Sequence, residues 1–213
     1  MPFSIPDISS SLPLPKKVTF ARDFTPMKRT IKRNYRKLRY IVYRETMVTP
    51  LDHLYTFLGG FAGIALVDAV GRRMGMELGD RFFLIGSFGA SAVLIYGLVN
   101  SPLAQPRNLF GGHILSAIVG VTMCKLFGHG FFPLWLAPSL AVGTSIVVMQ
   151  ITKTLHPPGG ATALIATIGS EKVKALGYAY VLSPVFTGLL LMFVVALAVN
   201  NLHKDRAYPK KWF

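Results

Sequence analysis

Residues 155–166, Leu-His-Pro-Pro-Gly-Gly-Ala-Thr-Ala-Leu-Ile-Ala, set an imidazole, two prolines, two glycines and a hydroxyl between apolar runs. An imidazole titrates near neutral pH, so His156 is suited to coupling a proton to the movement of an anion. Pro157 and Pro158 cannot continue a helix, yet proline in a first turn is a good start for one. The spacing therefore predicts a helix ending near His156 and a short one beginning near Pro158. The leading N–H groups of such a helix have no partner within it and carry partial positive charge, which suits an anion. Gly159 and Gly160 let a ligand approach the backbone closely, and Thr162 adds a neutral donor.

A second stretch, residues 101–113, reads Ser-Pro-Leu-Ala-Gln-Pro-Arg-Asn-Leu-Phe-Gly-Gly-His. Its break at Gln105-Pro106 precedes Arg107, a cation, and the close-approach pair Gly111 and Gly112, with Ser101 and Asn108 as further donors. The expected substrate-binding set is thus His156, Pro157, Pro158, Gly159, Gly160, Thr162, Gln105, Arg107, Gly111 and Gly112. Each also has a plain structural reading. The glycines suit tight helix packing, His156 can cap carbonyls of the preceding helix, and Arg107 can reach lipid phosphates. His113 reads as an interhelical hydrogen bonder.

Other chemistries lack their residues. The five histidines are scattered without metal-ligand spacing, and Cys124 is a lone cysteine in an apolar run. There is no phosphate-binding glycine loop, no nucleophile elbow and no pair of carboxylates for acid–base work. No catalytic residue, metal or cofactor is expected, and the chain is not read as an enzyme. Transport of a small anion is the first reading. A membrane scaffold, or a membrane enzyme or cofactor-binding subunit, are the others.

These residues sit in an oily frame. Hydrophobic residues make up 52% of the 213 and charged ones 15%, against about 25% in a soluble globule. The net charge of +14 is unevenly spread, with about half of the Lys and Arg before Thr46. Residues 1–48 read as a basic, partly disordered arm. Its Tyr35, Leu38, Tyr40, Ile41, Val42 and Tyr43 among cations predict a helix lying on anionic lipid headgroups. Since the arm feeds into membrane spans, nucleic acid is not expected as a partner. Residues 49–203 form the membrane domain and 204–213 a basic tail.

The fold class is all-α, a polytopic helical membrane bundle of about four to six spans with helices broken at the two Pro/Gly motifs. Spans are expected over 51–71, 82–99, from Gly111 to near Phe127, over 133–154 and over 178–202. Residues 159–169 are too short to cross alone. The link 72–81 reads as a loop, and Asp68 as an interfacial ion-pair partner of Arg72 or Arg73. The order small–apolar–proline break–Gly-Gly–apolar–Gly recurs from Gly89 and from Gly143, the form of an internal repeat. The basic arm and basic tail favour one, cytoplasmic, side for both termini and hence an even number of crossings. Small residues on span faces also leave room for a homo-oligomer.

The motifs LHPPGGATALIA (155–166) and SPLAQPRNLFGGH (101–113) resemble those of the HPP family of small integral membrane proteins. The resemblance covers roughly residues 50–202. It implies a helical membrane domain and, from plastid and cyanobacterial members, nitrite as a transported anion. A bacterial inner membrane is the expected location, with a plastid membrane as the alternative. Regulation through a CBS pair, which follows the membrane part in some members, is not expected.

Overall fold

The structure is a computed structural model that describes residues 49–128, 133, 135–203 and 206–212, without the side chains of Phe82 and Phe83. The basic arm and its expected surface helix lie outside the described residues.

Helix α1 spans Pro50–Arg73 and opens with a capping box: the Thr49 side chain accepts from the Asp52 N–H, and Asp52 accepts from the Thr49 N–H. Helix α2, Leu78–Ala92, runs on through a π-type turn at Val93–Gly97. A single 3₁₀ turn, Pro102–Ala104, leads into α3, Pro106–Gly128. Helix α4 covers Leu136–Ile151, α5 covers Pro157–Ile168, and α6 is the short Glu171–Ala175. A π-type segment, Val181–Phe186, then enters α7, Thr187–Asn200.

The described residues therefore run in six legs, four of which are long and apolar enough to cross a bilayer: Pro50–Arg73, Leu78–Gly97, Pro106–Phe127 and Val181–Asn200. The other two are the 16 residues of α4 and the 12 of α5. The ends are tied together. At one, Arg206 beyond α7 reaches Asp52 and Thr56 of α1 and the Tyr96 carbonyl. At the other, Asp80 at the start of α2 accepts from the backbone and hydroxyl of Ser170, just past α5. Asp68 holds Arg72, as the sequence suggests, and also Arg81 across the short α1–α2 link, whose helices leave fewer loop residues than expected.

The two breaks differ in depth. Arg107 donates to the Thr152 carbonyl at 3.0 Å and Asn108 to the Leu155 carbonyl at 2.7 Å. Thr154 lies against Gly111 and His156 against Gly112. Residues 152–156 thus descend alongside the first turns of α3, and α5 starts well inside the bundle. Irregular backbone at such depth needs protein around it, and α3 supplies the donors. The helix after the first break starts at Pro106 rather than at Gly111-Gly112. That glycine pair falls in the second turn of α3, whereas Gly159-Gly160 falls in the first turn of α5.

Candidate functional site

Where α2, α3 and α5 meet, a chain of polar side chains is sealed from solvent; His113 and His156 are both 0% exposed. The His156 Nδ1 donates to the Leu103 carbonyl at 2.8 Å, because a carbonyl can only accept. Its Nε2 lies 2.9 Å from Ser91 Oγ, which lies 2.7 Å from His113 Nε2. On the other edge of that ring, Nδ1 is 2.6 Å from Thr162 Oγ1, itself 2.9 Å from Ser87 Oγ. Ser87 also approaches the Pro158 carbonyl at 2.9 Å. The imidazoles are tilted at 52° with centroids 4.9 Å apart, and Phe88 closes one side edge-on to His113. Tyr180 donates to the Thr162 carbonyl. Buried polar groups are costly unless they are hydrogen-bonded, so this network specifies how three helices meet.

Above it, at the end that carries Arg107 and the tail, lies a pocket of about 180 Å³ lined by Arg107, Lys153, Lys210, Lys211, Asn100 and Asn108, with Trp212 on its wall. Among the described residues, four cations and no carboxylate side chain line it. The pocket shares its floor with the network: Pro102 lines it, and the carbonyl of the next residue, Leu103, receives His156.

The expected residues divide between these places. His156 and Thr162 belong to the network, joined by His113, and Arg107 belongs to the pocket. Gln105 lines the pocket but acts as a latch: its amide Nε2 donates to the Val99 and Ser101 carbonyls, and Oε1 accepts from the Lys210 and Lys211 N–H groups. Gly111, Gly112 and Gly159 are taken up by protein contacts. A Cβ on Gly159 would stand 2.7 Å from the Gly112 oxygen, and one on Gly111 2.6 Å from Thr154 Cγ2. Gly160 has only Val142 within ordinary contact distance. Four residues further along α3 from Gly112 comes Ser116 and then Gly120, whose Cβ would stand 2.5 Å from the Ala163 oxygen. This is a small-residue seam that lets α3 and α5 run parallel at close range.

Three of the four leading positions of α5 offer no free N–H. Proline carries no N–H, so Pro157 and Pro158 remove two of the usual orphans, and the Gly159 N–H donates to the His156 carbonyl at 2.8 Å. Positive charge is gathered instead by the side chains of the pocket.

Sequence reasoning missed Ser87, Ser91 and Arg206. The two serines, four apart on α2, face the same side, and in sequence they are indistinguishable from the other small residues of a span. Arg206 was assigned to the tail and is 7% exposed. Only its proximity to Asn200 in a polar run hints at that.

Comparison with known proteins agrees with this architecture. The model of the family described as HPP, transmembrane region, matches residues 45–209. Two transmembrane proteins of Dictyostelium discoideum are each 44% identical to the chain, over 161 and 159 residues. Each alignment covers 75% of this chain but 55% and 50% of the relatives, so the chain spans about half the length of the curated relatives it matches. No solved structure matches. Motifs, helical membrane bundle and family match converge, and the chain belongs to the HPP transmembrane-region family.

Proposed function

We propose that this integral membrane protein passes a small inorganic anion, with nitrite the first candidate because of the family resemblance. The observation that carries the reading is the pocket in which Arg107, Lys153, Lys210 and Lys211 converge with no acidic side chain among the described lining residues. Such a concave cationic mouth concentrates anions, and its small volume favours ions of a few atoms. The anion enters beside Arg107 and Lys153, where residues 152–156 dip into the bundle. The mouth, at the end where α1 begins and Arg206 folds back onto Asp52, is taken as the cytoplasmic side, the side that an excess of Lys and Arg favours.

The test is nitrite entry into proteoliposomes, with wild-type protein beside Lys153→Gln and the double variant Lys153→Gln/Lys210→Gln. Uptake by wild type that falls with each lost charge supports the reading. Folded wild-type protein that passes neither nitrite, nitrate, formate, bicarbonate nor chloride sinks it. That outcome favours a second reading, a membrane scaffold, for which the packing role of Gly112, Gly120 and Gly159 speaks.

A further inference from the structure

The buried network has one proton too few. It runs from the Leu103 carbonyl through His156, Ser91, His113, Thr162 and Ser87 to the Pro158 carbonyl, and so has six contacts. In their neutral forms the five side chains carry five protons, one on each imidazole and one on each hydroxyl. Both ends are carbonyl oxygens, which only accept. Whatever tautomers and rotamers are chosen, one contact is left with two lone pairs facing each other. The longer approach of Ser91 Oγ to the Ser87 carbonyl, 3.4 Å, adds an acceptor and no proton.

We propose that this chain of five side chains is a binding site for one excess proton, shared between His113 and His156 through Ser91. With six protons every contact becomes a hydrogen bond: both imidazoles can donate outward, and the hydroxyls align in one direction. Charge-assisted hydrogen bonds are the stronger kind, and a linear chain lets the charge sit on either ring. Opposing this is the cost of a charge sealed in protein, which sets how acidic the surroundings must be. The proton displaces no group and needs no co-reactant. The site stands on the network alone and not on anion passage.

Among the described residues, the surroundings supply no counter-charge. Helix α4 and helix α7 carry no titratable residue, and beside Thr162 the neutral phenol of Tyr180 donates to its carbonyl. On α2, Asp80 is bound to Ser170 and Arg81 to Asp68, both at the opposite end, and Tyr96 in the following turn donates to Met192. On α3, Arg107 lies in the pocket, while Cys124 and Lys125 lie near the far end.

Removing one hydroxyl balances the count. Ser91→Ala splits the chain into Leu103–His156, with one contact and one proton, and His113–Thr162–Ser87–Pro158, with three of each. Thr162→Val, at another point, likewise leaves each remaining contact with its proton. The experiment is a titration of the full chain in lipid nanodiscs, followed by the ¹⁵N signals of the imidazoles and by the protons taken up. Wild type is expected to take up one proton per chain in this region, with His113 and His156 responding at one midpoint. Ser91→Ala and Thr162→Val should bind it at least tenfold more weakly, and Ser91→Thr, which keeps a hydroxyl, should retain it. Both histidines staying neutral in wild type down to the pH of unfolding would overturn the proposal. So would separate midpoints, or folded Ser91→Ala and Thr162→Val with wild-type uptake. The wild-type titration decides by itself if those two variants do not fold.

Discussion

Gly159 rests on the backbone of Gly112: a Cβ there would stand 2.7 Å from the Gly112 carbonyl oxygen and 3.0 Å from its carbon. Neither atom belongs to a flexible side chain, so only movement of a helix could relieve the clash. The glycine of the family motif is thus a contact between α3 and α5, placed one turn from the buried imidazoles.

This separates two adjacent glycines. Gly159→Ala is expected to destabilise the folded protein by about 1–3 kcal/mol, the usual range for overpacking. Gly160→Ala meets Val142 Cγ1 at an ordinary 3.8 Å and gains helix propensity, so it should be neutral or stabilising by up to about 1 kcal/mol. Thermal unfolding in one detergent reads both. Equal losses would mean that the seam is not what Gly159 is for.

A buried fork accounts for the position of Arg206. Its Nη2 donates to the Tyr96 carbonyl at 2.6 Å and to Asn200 at 2.8 Å, while Nη1 donates to the Asp52 carbonyl at 2.9 Å. Lysine keeps the charge but cannot reach in these directions at once. Arg206→Lys should cost about 1–3 kcal/mol, the penalty for leaving buried acceptors unmet. It should also free the tail to proteolysis. A wild-type melting curve for Arg206→Lys would show that the charge alone is enough.

How much of this was readable beforehand follows from the kind of signal each part leaves. Pro157 and Pro158 break a helix wherever they stand, so the start of α5 was legible within a residue or two. The role of Gly112 was not, because a glycine that admits a ligand and one that admits a neighbouring helix look alike. The seam with Ala163 exists only once α3 and α5 lie side by side. Ser87 and Ser91 were passed over because a serine in an oily helix commonly bonds its own turn, and only the facing histidines give it another role. The pocket gathers Lys210 and Lys211 from the tail with Arg107 and Lys153, residues that no sequence spacing connects.

The tail is clamped through Tyr208, whose hydroxyl donates to the Ala104 carbonyl at 2.7 Å and whose backbone pairs with Asn201. Burial holds the phenol's pKa above its ordinary value of 10.0. The sign follows: the folded state keeps the proton more firmly than the unfolded chain. This contribution is full below pH 10 and declines as the pH rises from there toward the folded pKa. Cleavage of the tail by an alkali-tolerant protease should therefore rise steeply above pH 10 in wild type. Tyr208→Phe should lose that steepness, at a cost of about 0.5–1.5 kcal/mol for the missing hydrogen bond. A rise of the same steepness in Tyr208→Phe would assign it to another group.

Electrostatic attraction into the pocket has its own signature. Lys153, Lys210 and Lys211 are exposed, so water and salt screen them. Between ~0.01 M and ~0.15 M ionic strength the screening length falls from about 30 Å to about 8 Å. Attraction that reaches beyond the mouth should weaken over this range, whereas a contact made inside the pocket should change little. At anion concentrations well below saturation, wild-type uptake is expected to fall several-fold across it when the added salt is one the protein does not carry. In Lys153→Gln/Lys210→Gln the low-salt rate should already be down by about that factor and should then vary little with salt. Arg107→Lys distinguishes charge from shape, since it keeps the cation but gives up the guanidinium bond to the Thr152 carbonyl. If only the charge counts, its salt profile will follow wild type. If the double variant instead keeps the full salt dependence, the four cations are not what draws the anion in, and the attraction must be sought elsewhere along the chain.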